Sequence, residues 1–117
     1  MRMLVAAMAL LGTAAVPSLV EAQDHTGYRQ IATGNYARAE RTLTSELKSF
    51  PQRPELMLNL AAIYVRTDRA ADARALYAAV LAQPDVLMDL SADTTAWSHA
   101  LAQRGLRQLA GIQLSSR

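Results

Sequence analysis

The stretch TGNYARAERTL, Thr33 to Leu43, sets a glycine and an asparagine directly before a run rich in alanine, arginine and glutamate. Gly34 and Asn35 tolerate backbone angles that most residues avoid, and both favour turns over helix interiors. From Tyr36 onward the apolar residues Tyr36, Ala39, Leu43 and Leu47 recur at spacings of three and four, the stripe of an amphipathic helix. The stretch therefore reads as the corner of a helical hairpin, with one helix ending before Gly34 and the next beginning at Tyr36.

That corner recurs. A shift of 34 residues lays IATGNYARAERTLTSEL (Ile31 to Leu47) over VRTDRAADARALYAAVL (Val65 to Leu81), with four of 17 positions identical: Thr33/Thr67, Ala37/Ala71, Ala39/Ala73 and Leu47/Leu81. Ile31 falls over Val65, Leu43 over Tyr77, and the turn Gly34-Asn35 over Asp68-Arg69. A unit of this length that alternates helix and turn buries its apolar face only against a neighbouring unit. Ala61 and Ala73 are placed where the two helices of one hairpin cross, because small side chains let the backbones approach, while Tyr64 and Tyr77 supply bulk beside that contact. Pro51 and Pro84 terminate the second helix of each hairpin, since proline cannot donate the helical hydrogen bond. Ala71, by the same register, points to solvent.

With these residues in place the sequence resembles the tetratricopeptide repeat family. Its pattern of a large apolar residue, a leucine and a small residue, a tyrosine, a later alanine, an aromatic and a closing proline falls on Met57, Leu60, Ala61, Tyr64, Ala73, Tyr77 and Pro84. In the first copy Gly34, Tyr36, Ala39, Leu43 and Pro51 match, while Gly27 and Gln30 stand where the small residue and the tyrosine are expected. The resemblance covers about residues 24 to 84. It implies an all-α fold of antiparallel helical hairpins, two repeats plus a C-terminal capping helix. It also implies a concave groove lined by the first helices, here Glu55, Leu58, Asn59, Ala62, Val65 and Arg66, with Tyr28 from the first copy. Asn59 stands where peptide-binding members often place an asparagine against the ligand backbone, and an amide that donates and accepts suits a peptide group. The bland reading makes it a solvated polar residue beside the core. The lysine and arginine clamp that some members use for a C-terminal carboxylate is not reproduced.

The rest of the chain bounds the function. Its 117 residues suffice for one small domain, and alanine and leucine predominate over sparse aromatics, consistent with closely packed helices. The net charge of +2 is scattered, which gives no electrostatic case for nucleic acid. The opening MRMLVAAMALLGTAAVPSLVEAQ has Arg2, an uncharged run from Met3 to Val16, Pro17, and a Val20-Glu21-Ala22 ending, the layout of a secretory signal peptide cleaved after Ala22. The run is shorter than the roughly 20 residues that span a bilayer, so no permanent anchor is expected after cleavage. The mature protein is then periplasmic or secreted. Without cysteine it forms no disulfide and carries no lipid through a thiol.

Segments 1–22, 23–84, 85–93 and 94–117 read as signal peptide, two repeats, connector, and capping helix with tail. DVLMDLSADTT lacks a clear helical stripe, and Asp93, Thr94 and Thr95 suit the cap of a helix that follows. In that helix Trp97, Leu101, Ala102, Leu106 and Leu109 share one half, opposite His99, Gln103, Arg104 and Arg107. Trp97 either opens a third repeat or belongs to a helix that covers the second. His25 and His99 are far apart, the serines sit in no elbow motif, and no glycine-rich phosphate loop exists, so neither catalysis nor a metal or cofactor is expected. The reading is a non-enzymatic adaptor of a Gram-negative-type envelope that binds another protein or peptide in its groove. The alternative is a self-associating helical-repeat protein, a homo-oligomer that exposed apolar residues in DVLMDL would favour.

Overall fold

The computed structural model describes residues 27–91 and 94–115. The signal segment 1–22, His25 and Asp93 lie outside them. Helices α1 (Tyr28–Ala32) and α2 (Tyr36–Ser49) meet at Gly34, whose φ of 83° lies in the left-handed region. Helices α3 (Pro54–Arg66) and α4 (Ala70–Leu81) meet at Asp68, φ 65°, one of the few side chains that enter this region at modest cost. The two turns agree bond for bond. The Asn35 and Arg69 N–H groups donate to the Gln30 and Tyr64 carbonyls, both at 2.8 Å, and the Ala39 and Ala73 N–H groups to the Asn35 and Arg69 carbonyls, both at 3.1 Å.

The residue after the turn does different work in the two copies. Asn35 caps α2 by accepting the Arg38 N–H at its side-chain oxygen, 3.3 Å. Arg69 instead sends its guanidinium back to α2, where Nη2 and Nη1 meet Glu40 Oε1 and Oε2 at 2.6 and 3.1 Å, a forked pair that ties the second hairpin to the first. The Arg69 plane also lies over the Tyr64 ring, 4.4 Å from its centroid.

Two apolar clusters form the core, and α3 contributes to both. Ile31, Ala39, Leu43, Leu56, Leu60 and Ile63 join α1, α2 and α3. Met57, Leu58, Ala61, Ala73, Tyr77, Val80, Met88, Leu101, Ala102 and Leu109 join α3, α4 and the C-terminal segment. Every residue from Leu56 to Ile63 is buried, so α3 is sheathed on all sides rather than amphipathic. Each large aliphatic residue so covered contributes about 1.5–3 kcal/mol relative to exposure. Ala61 and Ala73 are fully buried and Ala71 is exposed, in keeping with the expected register.

The C-terminal third departs from the expected connector followed by a helix from residue 94. Strands β1 (Leu87–Ser91) and β2 (Thr94–Trp97) form an antiparallel hairpin, pairing Leu87 with Trp97, Met88 with Ala96, Asp89 with Thr95 and Ser91 with Thr94. Helix α5 (Ser98–Ser115) begins only after Trp97. Thr94 and Thr95 are β-branched and serve the strand, not the helix cap. The cap comes from Asp85, whose Oδ1 accepts the His99 N–H at 2.9 Å and the Ser98 hydroxyl at 3.2 Å. Ser98 Oγ in turn accepts the Val86 N–H at 2.9 Å. Trp97 ends the strand half-exposed, and Leu101 and Leu109 are large residues that α5 buries.

Helix α5 packs on α4 at its glycine. A Cβ added to Gly105 would stand 2.3 Å from Tyr77 Cζ, so the Tyr77 ring lies directly on the α5 backbone. The segment carrying this contact, Gly105-Leu106-Arg107-Gln108-Leu109-Ala110, repeats Gly27-Tyr28-Arg29-Gln30-Ile31-Ala32 at the other end of the array. Gly27 likewise faces a large residue, Leu43, the counterpart of Tyr77, and so supplies the small residue of the first copy. A third first-helix segment therefore exists, displaced from the 34-residue period by the inserted hairpin.

Gly105→Ala is expected to destabilise by about 1–3 kcal/mol through overpacking, whereas Gly111→Ala, with nothing within 4 Å of the added methyl, should be neutral or mildly stabilising. Urea melts distinguish the two, and equal effects would contradict the α4–α5 contact. Ala73→Leu should lose a similar 1–3 kcal/mol and exposed Ala71→Leu much less. The hydrogen-bonded Arg69 guanidinium holds the Glu40 carboxyl below its ordinary range. A depressed folded-state value means stability that is present above the ordinary glutamate range and lost as pH falls below it. Glu40→Gln should flatten the acid limb of a stability–pH curve; an unaltered acid limb would show that the pair does not persist in solution.

Candidate functional site

The groove side of α3 differs from the open surface expected. Asn59 is 0% exposed, and Leu58 and Ala62 are buried with it. Leu58 belongs to the cluster that joins α3, α4 and α5. Asn59 is therefore corrected from a solvated groove residue to an interior polar group, one of two buried polar side chains among the described residues, the other being Ser98. An interior amide carries a desolvation cost of about 1–3 kcal/mol if its bonding is lost, so its first role is in holding the helix. Sequence reading missed this because a helix that packs on three sides has no apolar stripe to separate lining from core.

Glu55 in the first turn of α3 and Arg66 in the last remain partly open, as does Val65. Arg66 leans toward α2, donating from Nη1 to the Tyr36 hydroxyl at 3.3 Å with its guanidinium 5.6 Å from the Tyr36 ring centroid. Tyr36, which the sequence marked only as an apolar stripe residue, is thus a neighbour of the candidate surface. Tyr28 opens α1, and its side chain lies outside the described positions. The seven expected lining residues thus do not form one open strip: three stay partly accessible, three are interior, and one is placed by backbone alone.

The histidine, serine and aspartate that the fold does bring together are structural. Ser98 Oγ is fully engaged between Asp85 and the Val86 N–H, and His99 Nε2 lies 2.6 Å from the Gln83 carbonyl rather than against the serine. A nucleophile needs a base aimed at its hydroxyl, and here the hydroxyl donates to a carboxylate that is itself capping a helix. Burial pushes the Tyr77 phenol up to about 12, so it stays protonated and acts as a packing group. Among the described residues no group of three or more His, Cys, Asp or Glu side chains is arranged to hold a metal ion, and no helix is long and apolar enough to cross a membrane.

Against known proteins, residues 30–86 match the family model described as tetratricopeptide repeat, a span that runs from α1 to the end of the turn after α4. Neither a curated protein nor a solved structure gives a significant match. Tetratricopeptide repeats generally mediate protein–protein interaction by binding other proteins or peptides, and the family is typically non-enzymatic. With its two bond-for-bond equivalent turns and the small–large crossings of its hairpins, the span 30–86 belongs to the tetratricopeptide repeat family.

Proposed function

We propose that this chain is a non-enzymatic adaptor of the bacterial envelope, holding a peptide or a helix of another protein on the first-helix side of its repeats. The observation that supports this most is the polarity of α3. Its interior residues are covered, but it offers a carboxylate at Glu55 and a guanidinium at Arg66, one near each end. Eleven residues of helix separate them, about 16 Å, the length of about five extended residues. A bound chain of opposite polarity meets a charge at each end of a helix that buried Leu58, Asn59 and Ala62 hold rigid from within. No cofactor or metal enters this reading.

The envelope assignment rests on the n-region, apolar run and Val20-Glu21-Ala22 ending at the start of the chain. Gln23 is then the mature N-terminus, and a soluble cytoplasmic protein that retains Met1 would refute export. Self-association is the second reading, supported by Val86, Leu87 and Trp97, large apolar residues left exposed.

Photo-crosslinkers placed at Glu55, Arg66 and the outward Ala71 test the binding side. The adaptor reading expects one shared adduct from positions 55 and 66 in intact cells and none from 71. Glu55→Ala with Arg66→Ala should weaken that adduct's capture while changing stability by no more than about 1 kcal/mol. An adduct formed equally from Ala71, or capture untouched by the double variant, would move binding away from α3.

A further inference from the structure

The β1–β2 hairpin has two unlike faces. Met88 is buried in the core cluster, and Leu90 and Ala96 pack against it, so the inner face belongs to the fold. Alternation along a strand then sends Leu87 and Asp89 outward, and the register sets Leu87 opposite Trp97 and Asp89 opposite Thr95. All four are exposed, Leu87 at 52% and Trp97 at 51%. Among the described residues the sheet contains these two strands, and no further strand lies beside the outer edge of β1. An unpaired edge offers main-chain donors and acceptors at the spacing of another extended chain, and proteins normally blunt such edges.

Charge selects the occupant. No lysine or arginine occurs between Arg74 and Arg104, and Asp85, Asp89 and Asp93 all fall in that interval. Asp85 is committed to capping α5, and among the described residues of the hairpin Asp89 is the carboxylate on the outer face. A second copy paired through β1 about a twofold axis would bring two Asp89 carboxylates to within one or two rungs, about 5–10 Å, where like charges repel. A basic side chain on an added strand meets Asp89 favourably and can also lie over the Trp97 ring.

We propose that the β1 edge is a docking site for an extended segment of another protein that carries apolar residues and a lysine or arginine facing Asp89, with Leu87 and Trp97 packing on its side chains. This surface is separate from α3, so its failure leaves the adaptor reading intact.

Full-length chain titrated into three labelled peptides of alternating valine and threonine tests the proposal: one with a central arginine, one with glutamate there, and one with alternate residues replaced by proline, which cannot donate to the edge. Fluorescence anisotropy should give binding of the arginine peptide about tenfold tighter than the glutamate peptide, and no binding of the proline peptide. Asp89→Lys should reverse the charge preference, and Leu87→Ser or Trp97→Ser should weaken the arginine peptide at unchanged helicity. The proposal is overturned if charge makes no difference, if Asp89→Lys leaves the order intact, or if sedimentation finds a dimer that Leu87→Ser dissociates, which would make a second copy the occupant.

Discussion

The contact of the Tyr77 ring with the backbone of Gly105 is the constraint on which the C-terminal half depends. A tyrosine on α4 sits on α5 only because the facing position has no side chain, and the same tyrosine shares its cluster with Ala61 and Ala73 at the crossing within its hairpin. Three helices are thereby drawn to one point with small residues on the backbones and one large ring between them. Close packing of this kind tolerates little change in volume. It also explains why α5 can be long and weakly patterned yet bury Leu101, Ala102 and Leu109.

Because α5 covers α4 and touches α3, the central helix is enclosed, and enclosure decides what a partner can reach. Solenoids need terminal elements to shield their last unit. Here the shield is a helix whose first turn is capped by Asp85 from across the hairpin, so the hairpin base and the cap of α5 are one hydrogen-bonded unit with Ser98 at its centre. Two surfaces left open by this enclosure are the ends of α3 and the outer face of the hairpin. Each surface sets a charged group near an aromatic residue: Arg66 beside Tyr36, and Asp89 on the face where Leu87 pairs with Trp97.

Much of the repeat was legible in the residues themselves. TGNYARAERTL announced a turn through Gly34 and Asn35, and both behave as their chemistry requires; Asp68 then reproduces the left-handed position without glycine. The crossings at Ala61 and Ala73 followed from size alone. The hairpin was not legible, because β1 and β2 are short, one carries an aspartate, and the threonines that form β2 are equally good helix caps. The third first-helix segment was hidden by the same insertion, which breaks the period just where Gly105-Leu106-Arg107-Gln108 repeats Gly27-Tyr28-Arg29-Gln30. Asn59 was misplaced for a different reason: spacing along one helix says which side a residue faces, but not how many neighbours close over it.

The central claim is that α3, α4 and α5 form one packed unit around Tyr77, with α5 belonging to the repeat array rather than appended to it. Native-state hydrogen exchange measures this directly, since residues that open together exchange with a common free energy. The account predicts that the amides of Ala61, Tyr77 and Leu109 fall in the slowest class and shift together when Gly105 is replaced by alanine. Exchange of α5 amides at rates well above those of α3 and α4, unmoved by that substitution, would contradict it.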